Sequence, residues 1–324
     1  MKKEVLCLWP VDDEQKSALI AAGAGKCTFR FCSPETVTRQ QAQNAEIILG
    51  TIDADLIQHT SKLKWLQITS AGTDKYIASG KLSPDIKLTN ATGAYGQSVA
   101  EHMFAVMFML MKNLHLYRDN QNRALWADCG PVSTPDGARI LIAGLGDIGG
   151  YFARLCKKVG AYTIGIKRHA TNCPDFIDEL YTDDKLDGLL PTVDVTVSVL
   201  PNTKDTTGLW DAQKFSRMKK TALFINAGRG NAVNQEDLYH ALHNGILAGA
   251  GIDVTVPEPL PHDSKLWSLP NLVITPHAAG DFHLAVTFKR IVEIGRKNLE
   301  LYLEGKQLIN EVDFSTGYRR FMGK

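Results

Sequence analysis

The chain has 324 residues, 44% of them hydrophobic and 22% charged, with a formal net charge of +1. That is the composition of a soluble globular protein with length for one large or two ordinary domains, and a charge so near zero gives no electrostatic case for nucleic acid or an anionic membrane. The longest uninterrupted apolar run, Phe104–Met111, is far too short to span a bilayer. The N-terminal MKKEVLCLWP breaks at Glu4 and Pro10 and does not read as a secretory signal. Six cysteines (7, 27, 32, 129, 156 and 173) are scattered without a C-x-x-C pair, which reads as reduced thiols. The expectation is a cytoplasmic α/β protein.

In chain order, EVLCLW, AEIILG, LKWLQIT and IKLTNA are short apolar runs closed by Gly, Asn or Ser, with the helical EQKSALIAAG after the first. Such runs are strands of a parallel sheet, so residues 1 to about 95 form a small α/β unit. One long helix is expected over SVAEHMFAVMFMLMKNLHLYRDNQ. It is apolar around much of its first half, as at a domain junction or a dimer interface. ADCGPVSTPDGA then reads as a loop. Alternation restarts with RILIAG, YTIGI, DVTVSVL, ALFINAG, GAGIDV and NLVITPH, six strand candidates, the number of a doubly wound nucleotide fold. The last helix, AVTFKRIVEIGRKNLELYLEG, is expected to pack back onto the N-terminal unit.

GLGDIG places Gly144, Gly146 and Gly149 in G-x-G-x-x-G spacing between RILIAG and the helical GYFARLCKKVG. The glycines allow a tight turn, close approach of a pyrophosphate and close helix–strand packing, and the helix start presents N–H groups to the phosphates. An acid about twenty residues on normally holds the ribose hydroxyls of NAD. Lys167 and Arg168 stand there instead. A guanidinium grips a phosphate through two parallel N–H···O contacts and an ammonium adds a point charge, so the expectation is NADP(H), with NAD(H) possible.

Three residues sit just past strand ends: Arg229 in INAGRGN, Glu258 in GIDVTVPEPLP and His277 in VITPHAAG. Open α/β sheets bind ligands at that edge. Arg229 would clamp a substrate carboxylate and polarise a keto oxygen. His277 would give that oxygen a proton as hydride reaches carbon. Glu258 would hold the imidazole in the right tautomer and favour its charged form.

With these blocks in hand, the chain resembles the D-isomer-specific 2-hydroxyacid dehydrogenases, which include glyoxylate/hydroxypyruvate reductases and phosphoglycerate dehydrogenase. The blocks are SAGTD, TNATGAYGQSVAEH, GLGDIG, LPNTKDTTGL, MKKTALFINAGRGNAVNQEDL, GAGIDVTVPEPLP and LWSLPNLVITPHAAG. The resemblance implies a two-domain α/β fold, with a doubly wound Rossmann domain (98–285) inserted into a smaller flavodoxin-like substrate domain (1–97 plus 286–324) and a cleft between them. It implies Arg229, Glu258 and His277 as the catalytic trio, and the backbone N–H groups of Ala71 and Gly72 as further holders of the substrate carboxylate. It implies a cofactor site of Gly144, Gly146, Asp147, Ile148, Gly149, Lys167, Arg168, Pro201, Thr206, Ala227, Asp253 and Gly280, Asp253 bonding the nicotinamide carboxamide. It also implies a homodimer joined through the cofactor domain.

Lys167 and Arg168 depart from the family pattern, as do Asn231 after the GRG turn and Asp281 after Gly280, the latter near enough to His277 to disturb substrate charge preference. No regulatory extension follows the last helix, which argues against an allosteric phosphoglycerate dehydrogenase. His102 reads as a packed or interface residue, and Tyr95 and Trp126 as core aromatics or cleft residues. Histidines and cysteines show no ligand-like spacing, so no metal is expected. The functional expectation is reduction of a small 2-keto acid to its D-2-hydroxy acid. Two rivals are a non-catalytic dinucleotide-sensing dimer that recruits protein partners, and a formate or phosphite dehydrogenase.

Overall fold

The computed structural model describes residues 2–58, 60–77, 80–168 and 172–320. The chain divides into two compact units, Met1–Tyr95 with Phe282–Lys324, and Gly96–Asp281.

In the first unit, strands β1 (Lys3–Cys7), β2 (Cys27–Phe31), β3 (Ile47–Leu49), β4 (Trp65–Gln67) and β5 (Lys87–Thr89) pair in parallel in the order β2-β1-β3-β4-β5. That is the flavodoxin-type order. Both faces of the sheet are apolar because both are covered. Val5, Cys7, Ile47, Leu49 and Trp65 pack on one side with Ile291, Val292 and Leu299 of the C-terminal helix Ala285–Leu303. Leu6, Leu8, Ile48, Leu66 and Leu88 line the other. The helix returns to the N-terminal unit as expected. At Gly295 it leaves no room for a side chain, since a Cβ would stand 2.2 Å from the Trp9 ring.

A polar seam fixes this return. Asn298, fully buried, donates to Gln67 Oε1 (2.9 Å) and to the Ile309 carbonyl (3.0 Å), and accepts from the Ile309 N–H (2.6 Å). Gln67 Oε1 also accepts from the Thr89 hydroxyl (2.8 Å), which in turn accepts from the Trp65 indole (2.8 Å).

In the second unit, strands β6 (Arg139–Ala143), β7 (Tyr162–Lys167), β8 (Glu179–Thr182), β9 (Val195–Ser198), β10 (Leu223–Asn226), β11 (Gly249–Ile252) and β12 (Leu272–Ile274) form a parallel sheet in the order β12-β11-β10-β9-β6-β7-β8. Read outward from β6, this is the doubly wound nucleotide-fold order with one strand added at an edge. Trp210 and Phe215 pack tilted and edge-on against Phe224 in its core, and the buried Trp210 indole finds its acceptor in the Ser198 hydroxyl at 2.9 Å.

Three expectations are corrected. The second unit has seven strands among the described residues, not six, and the first has β2 in addition to the four runs named from sequence. A short antiparallel pair, Val312–Asp313 with Tyr318–Arg319, is likewise unforeseen. In the two parallel sheets the unforeseen strands, β2 and β8, are edge strands that pair on one side only, and neither carries a continuous apolar run. The long helix is two helices, Gly96–Met111 and Leu114–Asn122, separated by Asn113 in a left-handed conformation (φ 55°). The asparagine side chain donates to the carbonyls of Cys129 and Pro131, both at 3.2 Å, and asparagine tolerates that backbone region better than most residues.

Replacing Asn298 by Ala leaves the Ile309 N–H and carbonyl without partners in the interior and removes a donor from Gln67. The expected cost is about 2–3 kcal/mol, read as a lower urea midpoint with an unchanged denaturant slope.

Candidate active site

The carboxyl ends of β10, β11 and β12 carry three turns. After β10 comes Ala227-Gly228-Arg229-Gly230, and the two glycines have a packing reason. A Cβ on Gly228 would lie 2.6 Å from the Leu200 carbonyl oxygen, and one on Gly230 would lie 2.2 Å from that of Thr255. The turn bearing Arg229 therefore threads between the chain leaving β9 and the loop after β11. Asn226 braces it, its amide oxygen accepting from the Gly228 N–H (3.2 Å) and its amide donating to the Arg229 carbonyl (3.0 Å). Arg229 is half-buried, and its Nη1 donates to the Gly228 carbonyl at 2.8 Å.

The loop after β11 carries Glu258. Its Oε1 accepts from the Thr255 N–H at 3.0 Å, and its Oε2 lies 2.9 Å from His277 Nδ1. An ionised carboxylate only accepts, so the proton between them sits on Nδ1, which leaves Nε2 as the imidazole's second face. The His277 and Glu258 side chains are 52% and 40% exposed. At that exposure an ion pair adds at most about 1 kcal/mol of stability, so the contact orients the ring more than it holds the fold together.

His277 itself has a left-handed backbone (φ 53°), uncommon for a residue with a side chain. Asp253, 5% exposed, holds it there. The Asp253 carbonyl accepts from the His277 N–H at 2.7 Å. The carboxylate accepts from Ala278 N–H (2.9 Å), Ala279 N–H (3.2 Å) and the Thr275 hydroxyl (2.6 Å). Arg229, Glu258 and His277 thus lie on interlocked turns of one sheet edge, all within the second unit.

The sequence fingerprint opens the helix Asp147–Lys158 directly after β6. Gly144 has φ 102°, and a Cβ on Gly149 would stand 2.0 Å from the Gly144 carbonyl oxygen, so neither position admits a side chain. Gly146 is the helix N-cap and offers no side chain to the first N–H groups, while the space where its Cβ would point is open. Asp147 and Ile148 form the first turn. A pyrophosphate fits such a helix start, with backbone donors and room for close approach. Lys167 ends β7 half-buried, with the exposed Arg168 next. Past β9, the Thr206 hydroxyl donates to the Pro201 carbonyl (2.6 Å) and accepts from the Thr203 N–H (2.9 Å), closing a turn at the same edge. Ala227 is buried after β10. Gly280 follows the His277 loop, and the Ser98 hydroxyl lies 2.8 Å from the Ala279 carbonyl and 3.4 Å from that of Gly280.

Ala71 and Gly72 belong to the first unit, in the turn after β4. Their carbonyls accept from the Asn90 amide (2.8 Å) and the Ser70 hydroxyl (2.6 Å) respectively, which fixes the orientation of both peptides. Tyr95 packs on the first unit's core, with its hydroxyl donating to the Thr69 carbonyl at 2.8 Å. Trp126 is the correction here: it is fully exposed within this chain, not core. Burial pushes the Cys7 thiol up to about 12 and raises that of Cys156 as well, so neither is a nucleophile. Among the described residues no three His, Cys, Asp or Glu side chains gather as a metal site, and no helix is long and apolar enough to cross a membrane.

Sequence reasoning missed several supporting residues. Gln235 grips Val256 from both sides, donating to its carbonyl and accepting from its N–H at 3.4 Å, and so braces the Glu258 loop. In the sequence Asn231 stands out only as a departure from the family pattern; its amide donates to Asn202 and to the Thr207 hydroxyl (3.0 Å), tying the GRG turn to the loop after β9. These contacts join residues 21 to 29 positions apart, and no local spacing pattern signals them.

Comparison with known proteins follows the same lines. Residues 104–279 match the family model described as the NAD binding domain of D-isomer specific 2-hydroxyacid dehydrogenases. Glyoxylate/hydroxypyruvate reductase B of Citrobacter koseri is 32% identical over 262 residues, 77% of this chain and 80% of that protein. A D-isomer specific 2-hydroxyacid dehydrogenase family protein from Aeromonas salmonicida superposes with a TM-score of 0.85 at 31% identity, covering 97% of this chain and all of that one. An NADPH-dependent glyoxylate/hydroxypyruvate reductase from Sinorhizobium meliloti, solved with NADP and sulfate, gives 0.81 at 25% identity, covering 98% of this chain and all of the other. This chain belongs to the D-isomer specific 2-hydroxyacid dehydrogenase family of NAD(P)-dependent oxidoreductases.

Proposed function

We propose that the protein is an NADPH-preferring reductase that converts a small 2-keto acid to its D-2-hydroxy acid. The observation that carries this reading is the 2.9 Å contact between His277 Nδ1 and Glu258 Oε2, on turns that interlock with the one bearing Arg229. A reduced nicotinamide dinucleotide, when bound, supplies the hydride. Arg229 has five N–H donors in a planar fork, suited to a substrate carboxylate and to the keto oxygen beside it. The Ala71 and Gly72 N–H groups enter the proposal as further carboxylate donors, as the family resemblance implies.

His277 supplies the proton. With Nδ1–H given to Glu258, the imidazolium carries its transferable proton on Nε2, which passes to the keto oxygen as negative charge develops there. Glu258 remains ionised throughout and balances the imidazolium. A pure binder gains nothing from such a coupled pair.

The cofactor preference rests on Lys167 and Arg168. Two cations at the end of β7 replace the acid that would accept the ribose hydroxyl and repel an extra phosphate. The crystallised Sinorhizobium relative, named NADPH-dependent and holding NADP, supports the same reading.

A homodimer joined through the second unit completes the proposal. Leu114, Leu125, Trp126 and Val132 are all more than half exposed in this chain, and large apolar side chains gathered in one segment mark an association surface. Sedimentation velocity at micromolar concentration is expected to give a dimer, and Trp126→Ala with Leu125→Asp to give a monomer.

Arg229→Gln is expected to lower kcat/KM for glyoxylate and hydroxypyruvate by about 100-fold or more, while NADPH binding, read by fluorescence titration, persists. His277→Ala should lower kcat by about 100-fold or more without that loss of substrate binding. Near-native turnover in either variant overturns the assignment of that residue. Lys167→Asp combined with Arg168→Ala should reverse the preference toward NADH, judged from the ratio of kcat/KM values for the two cofactors. A wild-type enzyme indifferent to the extra phosphate contradicts the cofactor reading.

A further inference from the structure

The buried Asp253 carboxylate has a feeder that reaches back to the helix Gly96–Met111. The Thr275 hydroxyl lies 2.6 Å from Asp253 Oδ1, and His102 Nε2 lies 3.0 Å from the same hydroxyl oxygen. Proton bookkeeping fixes the direction of both bonds. A carboxylate accepts only, and a threonine hydroxyl has one proton. That proton is given to Asp253, so the Thr275 oxygen accepts from His102, and His102 carries a hydrogen on Nε2. The chain of donors runs His102 to Thr275 to Asp253.

We propose that His102 and Thr275 are positioning residues for His277, acting through the Asp253 carboxylate. The inference rests on the reading of His277 as proton donor. Asp253 grips the His277 segment at several points, its carbonyl on the His277 N–H and its carboxylate on the N–H groups of Ala278 and Ala279. Those bonds hold His277 in its left-handed conformation, which a residue with a Cβ adopts only when its surroundings over-determine it. Thr275 is the side-chain donor that sets the rotation of that carboxylate, and its own carbonyl also takes the His277 N–H at 3.0 Å. Without the hydroxyl, Oδ1 loses its shortest bond and the carboxylate is free to turn away from Ala278. The His277 ring then shifts relative to Glu258 and the substrate. Neither His102 nor Thr275 needs to touch substrate for this to act.

The nearest alternative is ordinary packing, in which His102 and Thr275 merely fill space between the helix and β12. The two accounts differ in what they disturb. Packing loss lowers stability alone, whereas loss of positioning lowers the chemical step read at saturating NADPH.

The test is steady-state kinetics with hydroxypyruvate and NADPH on the full-length protein, alongside NADPH titration and thermal unfolding. Thr275→Val, which keeps the shape and removes the hydroxyl, is expected to lower kcat at saturating NADPH on the order of 10–100-fold, with substrate KM within about two-fold of wild type; NADPH Kd, which the turned Asp253 carboxylate also touches, changes by less than kcat. Thr275→Ser should recover most of the loss. His102→Ala should lower kcat in the same way and more weakly, and His102→Gln, whose amide reaches about as far as Nε2, should recover it. A Thr275→Val enzyme with native kcat at saturating NADPH overturns the proposal, whatever its NADPH affinity. If Thr275→Val does not fold, the His102→Ala and His102→Gln pair decides by the same kcat criterion. His277→Ala run in parallel separates the layers. If it retains turnover, the proton-donor reading fails; if it is inactive while Thr275→Val is native, only the positioning proposal fails.

Discussion

The His277–Glu258 contact depends on a constraint that no single residue supplies, namely that the turns leaving β10, β11 and β12 are locked to one another through backbone atoms. Gly228 and Gly230 let the Arg229 turn lie against Leu200 and Thr255 at distances that forbid a side chain. The Thr255 N–H then aims one oxygen of Glu258, and the other meets His277. Asp253 closes the circuit by gripping the segment on which His277 sits. Loosening any one of these contacts moves Arg229, Glu258 or His277, because a protein interior transmits displacement instead of absorbing it.

This arrangement is what the proposed reduction of a keto acid asks of the sheet edge. In the proposed reaction the proton donor, its charge partner and the guanidinium arrive from successive strands, each aimed by main-chain bonds that need no reorganisation when charge develops. The pair itself is partly exposed and adds little to stability. Its worth is orientation, and the cost of that orientation is the strained backbone at His277, which the buried carboxylate offsets.

Much of this was legible in the sequence, for a physical reason. Parallel strands covered on both faces are continuous apolar runs, so β1, β3 to β7 and β9 to β12 all announce themselves. The two strands of the parallel sheets that did not, CTFRF and ELYT, are at sheet edges, where one side lacks a partner and the apolar signal fades. The helix break at Asn113 was hidden because the bonds from its side chain to Cys129 and Pro131 are tertiary and leave no mark in the local pattern. Arg229, Glu258 and His277 were findable because each follows a strand within a few residues. Gln235, Asn231 and the His102–Thr275 link were not, since their partners are brought close by folding alone.

The proposed reaction delivers a hydride to C2 of a 2-keto acid and a proton to its oxygen. The most direct measurement uses wild-type protein, hydroxypyruvate and NADPH carrying deuterium at the transferable nicotinamide position, with the product examined by mass spectrometry and chiral chromatography. The account predicts the D-2-hydroxy acid bearing one deuterium at C2. A product of L configuration, or no deuterated product and no NADPH oxidation across glyoxylate, pyruvate and bulkier keto acids as well, would contradict it.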